Sequence, residues 1–530
     1  EHRKVALALE ARHAGSLDDV AADLAAHWIE ATIGGDRGPA IEFSVRAAEL
    51  AADRGAHETA ARWIRRALEL MADDDRDWSA ERRRVLGRLA EAEAVSGLAP
   101  EARLHALEAG RAAVAAEDPA TAVRALRVRA RHSFSASDPV DPERVELLRD
   151  ALSMSSLDTW QRAALLGELA KELIFERDLS GRRRALEERE VLLFELPLVE
   201  RVELVATAGT TSYTWAPRSV LQRQADEARA VLDDTPAMPA SVRWRILGHL
   251  AYTALHLGDR VALDGAIDAM TSLGPEIGAV RMSMTRLHET MRSMVDGDVS
   301  GAEQGANALV AQLEQLGVPE AVSYRSTTTL AISRERGTLA DLGPLVDALV
   351  AGARPVGPER TTAAFVRMLR GDLDIVRAAL HDLDDQEFAD DATVQLCVAF
   401  WAEIVAGLRS DEHCARFIEF LDPASGVNLL IGGMYLGPVD RLLALLHEAR
   451  GEHGRADELF ESAIAQQSAL MSPPWVARTQ VDWASACLVR GERERSAALL
   501  AVVTDTLGDL DLADTRRRHA ELVALLAVGA

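Results

Sequence analysis

The feature that most constrains this chain is a glycine that returns about every forty residues. Gly55 to Gly97 is 42 residues, Gly258 to Gly297 is 39, and Gly297 to Gly337 and Gly451 to Gly491 are each 40. Gly371 comes early, 34 after Gly337. Around the glycines, small and apolar residues keep one spacing. Residues 43–70 carry Ala47, Ala48 and Ala51, then Gly55, then Ala60, Ile64 and Ala67. Near the other end the set is Leu443, Ala444, Gly451, Ala456, Phe460 and Ala463. An apolar stripe, a turn at glycine and a second stripe at i, i+4 and i+7 make a helical hairpin. The alanine five positions after the glycine lets the two helices approach closely. Turn-like stretches stand where glycines are missing: "SASDPVDP" around Ser137, "ERDLSG" around Asp178, "TWAPRS" around Ala216 and "LRSDEH" around Ser410.

The spacing predicts an all-α chain, a right-handed α-solenoid of about a dozen hairpins with a period near 40 residues. It resembles tetratricopeptide repeats, whose usual period is roughly 34, with longer helices or turns. Residues 1–35 read as N-terminal helices adjoining a missing upstream domain, and residues 36–530 as the superhelix. The chain opens with Glu1 instead of Met, which fits a fragment of something longer.

Composition agrees. Hydrophobic residues make up 48% of the chain but aromatics only 4%, so the apolar mass is Ala, Leu and Val, a helix-forming mixture. A formal net charge of -25 argues against nonspecific nucleic-acid binding, which needs a basic face. Cys397, Cys414 and Cys487 are odd in number and far apart, which suits a reducing, cytoplasmic setting and offers no metal knuckle. No apolar run approaches the ~20 residues of a membrane span.

Two segments resemble a known family. "HRKVALALE", "DDVAADLAAHWIEA" and "AIEFSVRAAELAADRGAHETAARWIRRALEL" are similar to the passage that follows the ATPase and winged-helix portion of large actinobacterial regulators. "LGPVDRLLALLHEARGEHGRADELFESAIAQQSALMSPPWVARTQVDWASACLVRGERERSAALL" is similar to their last repeats. These are signal-transduction ATPases of the STAND type, fused to a LuxR-type DNA-binding domain or to a nucleotide cyclase. The resemblance implies a sensor arm that binds an inducer or protein partner and controls a fused or associated ATPase. The chain itself has no GxxxxGK[ST], and neither of its two lysines, Lys4 and Lys171, follows a glycine.

Catalytic signatures are missing, so no enzyme activity, cofactor or metal is expected. "HETAAR" at His57 and "HETMRS" at His288 lack the second histidine of a zinc helix. "GDVSG" at 297–301 has its serine one place late for a nucleophile elbow. His413 and Cys414 are adjacent and therefore point about 100° apart on a helix. The acidic run "ADDDRDW" at 72–78 reads as a solvated loop between repeats.

Three places are candidates for ligand or partner contact. Met284, Leu287, Met291 and Met294 form a stripe at helical spacing, with Met282 nearby. On the concave face it would offer a soft, adaptable surface, joined by Tyr252 and Tyr324 from neighbouring hairpins. The polar residues opposite (Arg286, Glu289, Thr290, Ser293) favour plain inter-helix core instead. Tyr213, Trp215 and Arg218 pair aromatic with arginine at an irregular turn, the composition of a binding hot spot or of a wedging loop. The third is "SGVNLLIGGMYLGPVDR", with Gly426, Gly432, Gly433 and Gly437 in twelve positions. No lysine follows and the spacing is not GxGxxG, so it is no phosphate loop. It reads as the entry to a helix starting near Pro438, packed on the preceding hairpin, with Met434 and Tyr435 at its tip as candidate contacts. The function expected is a non-enzymatic sensing module, with a freestanding scaffold that binds a partner peptide in its groove as the alternative.

Overall fold

The computed structural model describes residues 1–32, 35–128, 140–175, 180–208, 216–316, 318, 321–350, 357–381, 383, 393–508 and 510–528. Among them the chain forms 27 α-helices and one two-stranded antiparallel sheet. Helices His2–Arg12 and Ala21–Glu30 come first. Twelve consecutive helix pairs follow, from Gly38–Asp53 with His57–Ala72 to Pro473–Val489 with Arg493–Leu507, and Ala513–Val528 comes last. The architecture is an all-α solenoid, and no helix among the described residues is long and apolar enough to cross a membrane.

The recurring glycines are the turns within pairs. Gly55, Gly97, Gly258, Gly297, Gly337, Gly371, Gly451 and Gly491 all have left-handed backbones, with φ between 68° and 85°. That conformation ends a helix and satisfies its last carbonyls, and it costs glycine nothing because there is no Cβ. At two turns the next residue opens the following helix. Asp259 accepts from the Ala262 amide at 3.0 Å and Asp298 from the Gly301 amide at 2.8 Å. Gly371 comes early because the helices between it and Gly337 are short, Gly343–Val350 and Pro358–Arg370. In "LRSDEH" the glycine's place is taken by Arg409, at φ 53°. "ADDDRDW" is the exposed link between His57–Ala72 and the next pair.

The two helices of a pair are buried differently. Ala240–Leu257 has twelve buried residues among 18, whereas its partner Arg260–Ser272 has four among 13. In this and several later pairs the first helix is the more buried and faces inward, while the second shows an amphipathic face to solvent. The coil is wound tightly enough for successive turns to touch. Ser472 donates to the Val295 carbonyl at 2.9 Å, 177 residues away. Gly97 lies against the backbone of Leu316, and Gly337 against Asp514. The turn glycines therefore serve a second purpose: some of them are where one turn of the superhelix rests on another.

Arg409 carries a left-handed backbone without glycine's freedom, a conformation that costs an L side chain about 1 kcal/mol. Arg409→Gly is expected to raise the unfolding free energy by about that amount, measured by chemical denaturation of the two proteins.

Candidate functional site: the filled interior of the coil

The segment 425–438 is not a loop leading into a helix. It is a β-hairpin, β1 (Asn428–Ile431) and β2 (Met434–Pro438), whose pairs run Asn428 with Pro438, Leu429 with Gly437, Leu430 with Tyr435 and Ile431 with Met434. Gly432 and Gly433 form the two-residue turn, with Gly432 at φ 52°, as the tight turns of twisted hairpins require. Leu436 is the extra residue of a bulge beside Gly437. A Gly-Gly between two apolar runs is a hairpin signal that the reading as a helix entry passed over.

The hairpin fills the inside of the coil. It packs against the inward helices Ala240–Leu257, Ala279–Asp296, Ala321–Glu335, Val394–Leu408 and Val439–Ala449. At its tip, a Cβ on Gly433 would press on Thr328 and Leu287, and one on Gly432 on Thr327. At its base, Gly437 (φ 93°) lies flat on the Trp475 ring, leaving no room for any side chain there.

Side chains from distant repeats tie the hairpin down. The Asn428 side chain is fully buried; it donates to the Leu255 carbonyl at 2.8 Å and accepts from Gln467 Nε2 at 2.8 Å. His256 Nδ1 donates to the Asn428 carbonyl at 2.6 Å. The Leu430 amide donates to Gln395 at 2.9 Å, and the Tyr435 hydroxyl to Gln467 at 2.7 Å. Arg218 Nη1 and Gln466 Nε2 both donate to the Gly426 carbonyl, at 2.5 and 2.7 Å. The Ser425 hydroxyl and Gly426 amide donate to Asp440, each at 2.8 Å. A hairpin alone is marginal in water; these partners satisfy polar backbone that would otherwise be buried without bonds.

Beside the hairpin lies an arginine–carboxylate–aromatic cluster that joins six helices. Arg334 donates to Glu403 at 2.6 Å, and Arg441 to Glu403 at 2.8 Å and to Asp482 at 2.6 Å. Arg518 reaches the second oxygen of Asp482 at 2.5 Å. Arg478 donates to both oxygens of Glu335, 143 residues away, at 3.0 and 2.9 Å. Trp475 is the centre: the guanidinium carbons of Arg478, Arg334 and Arg441 stand 4.9, 5.6 and 5.7 Å from its ring. Phe365 and Phe400, stacked at 4.4 Å, also face Arg334.

Burial would raise the Glu403 carboxyl, but Arg334 and Arg441 override it and hold it well below the usual range. Burial likewise pushes Asp482 up, while Arg441 and Arg518 bring it down. Arg478 is lowered chiefly by burial; Glu335 opposes this, and the like charges of Arg334 and Arg441 add to it.

The candidate contacts sort as follows. Leu287, Met434 and Tyr435 do face the interior, but toward the hairpin or as part of it: Met434 is 1% exposed and Tyr435 4%, its ring edge-on to Trp475 at 5.5 Å. Arg218 belongs to the same place through Gly426, and Tyr252 packs edge-on to His288 at 4.8 Å, one residue from Leu287. Met291, Met294 and Tyr324 are buried, and Met284 is half-buried against the same core. Thr290, expected on a polar outer face, is buried against Gly305 of the partner helix, so that face is not uniformly solvated. Tyr213 and Trp215 lie outside the described residues. His413 accepts or donates at Ser410 Oγ, 2.7 Å away, while Cys414 is buried and its thiol is pushed up to about 11 by burial. The arginine cluster was missed altogether, because its members look like ordinary surface residues in their own repeats.

No family model and no curated protein matches the chain. Among solved structures it is similar to the crystal structure of Ypp1, at 8% identity and a TM-score of 0.33, over 96% of this chain and 89% of that one. A circular tandem repeat protein with a novel repeat topology gives 15% identity and a TM-score of 0.14, over 92% and 94%. These scores are too low to add to the fold, which rests on the chain's own helices.

His249, His256 and His288 are buried on helices that pack against the hairpin, and burial lowers each to about 4. The charge of His256 adds to the effect on His249, whereas accepting carbonyls at Asn428 and Met284 partly offset it for the other two. An unfolded histidine titrates near 6.5, so the unfolded chain binds more protons between about pH 6.5 and 4. Stability should be full above pH 6.5 and fall as pH drops toward 4, by on the order of 2 kcal/mol per histidine. Urea unfolding between pH 7 and 4 checks this, and His249→Phe should flatten the slope.

Proposed function

We propose that this chain is a non-enzymatic sensing module of a regulatory ATPase of the STAND type, acting in the cytoplasm. The observation that supports it most is the interior itself. One short hairpin and one buried ion cluster tie together inward helices that are four to five repeats apart in sequence. A ligand that binds this interior better at one curvature of the coil shifts the population toward that curvature. An ATPase joined to the module would read the change as a movement of the coil's end. The ATPase context itself rests on the resemblance of the two end segments.

A second reading, a freestanding scaffold for a partner peptide, has its own support. The interior already grips an extended segment through main-chain groups, the carbonyls of Gly426 and Asn428 and the amide of Leu430. A partner strand that displaced the hairpin would use the same side chains.

Calorimetric titration of the purified chain separates the two. The sensing reading expects saturable heat from members of a small-metabolite panel and none from extended partner peptides. Binding of peptides alone would replace it with the scaffold.

A further inference from the structure

The ion cluster around Trp475 is not evenly paired. Three buried guanidinium groups, Arg334, Arg441 and Arg478, and Arg518, whose side chain is 30% exposed, share three carboxylates, Glu335, Glu403 and Asp482. Asp514 acts on Arg478 and Arg518 from the rim, but its own ion pair is with Arg517 at 2.9 Å. Glu403 and Asp482 are each divided between two arginines, while Glu335 serves Arg478 alone. Buried charges are ordinarily paired, since an uncompensated one loses its hydration with nothing in return.

One buried donor of the cluster is left without a partner. Arg334 is 7% exposed, its Nη2 is taken by Glu403, and its Nη1 is buried with no hydrogen-bond partner. This guanidinium stands among three aromatic rings, those of Phe365, Phe400 and Trp475, at 5.4, 5.7 and 5.6 Å. Ring faces attract the cation but accept no N–H bond of ordinary strength. The guanidiniums of Arg441 and Arg478 converge on the same Trp475 ring.

We propose that the Arg334–Trp475 cluster is the ligand-binding site of the module, and that it takes a small carboxylate carrying a single negative charge. This rests on the sensing reading above. An unpartnered N–H on Arg334, whose one carboxylate is shared with Arg441, matches a monoanion. A phosphate dianion would bring a second negative charge against Glu335 and Glu403. The aromatic walls favour a carboxylate with a flat apolar body over a bare one. Strand β2 covers the site, with Gly437 on the Trp475 ring and Tyr435 edge-on beside it, so entry requires the hairpin to shift. Occupancy and hairpin position are thereby coupled, which is how binding would reach the rest of the coil.

The test titrates the intact chain with benzoate, acetate and inorganic phosphate by calorimetry, and maps each complex by hydrogen exchange. Benzoate is expected to bind saturably, acetate at least threefold more weakly and phosphate weaker still. Protection should fall on residues 321–335 and 473–489. Arg334→Lys keeps the charge but loses the forked donor, and should weaken benzoate at least tenfold. Exchange mapping of the unmodified chain decides the matter even where that variant does not fold. Benzoate binding with protection elsewhere, or with Arg334→Lys unchanged, overturns the site and leaves the sensing reading standing. No binding by any of the three anions overturns the site too. If the wider metabolite panel is also silent, the sensing reading falls with it.

Discussion

The contact on which the rest of this structure depends is a strip of glycine backbone laid on the face of a tryptophan. At Gly437 the second strand of the hairpin meets Trp475 so closely that only a residue without Cβ, in a left-handed conformation, can stand there. A helical-repeat coil has contacts mainly between neighbouring repeats, and its stability is a sum of such local terms. Here a segment inside the coil adds contacts among repeats far apart in sequence. Arg218 to Gly426 spans 208 residues and His256 to Asn428 spans 172. The C-terminal part of the solenoid is therefore held from within as well as from neighbour to neighbour.

The same interior explains why so many charged side chains are tolerated out of water. Each carboxylate of the Trp475 cluster receives at least one guanidinium, and the aromatic rings cover the guanidinium faces. Such a cluster contributes little net stability over an apolar core of the same shape, but removing one partner is costly. Its value is specificity of arrangement, because arginines from four helices must arrive together.

Much of the fold was legible in the sequence because it depends on local chemistry. The forty-residue beat of glycines marks left-handed turns, and Gly258–Asp259 and Gly297–Asp298 close one helix and open the next. What was not legible lies between repeats. The stripe with Leu287 reads more readily as inter-helix core than as an inner, ligand-facing surface, and nothing local says that the chain fills its interior with its own residues 428–438. The hairpin had a signal, Gly432-Gly433 between "NLLI" and "MYLGP", that was outweighed by the helical pattern on both sides. The arginine cluster had none: Glu335 and Arg478 meet only because the coil returns on itself after 143 residues.

The central claim is that the hairpin is a structural part of the coil, seated on Trp475. Gly437→Ala tests it most directly, by equilibrium denaturation of the variant beside the unmodified chain. The account predicts a loss of about 3 kcal/mol or more, from steric conflict with the ring together with strain at φ 93°. An unchanged unfolding midpoint would contradict it.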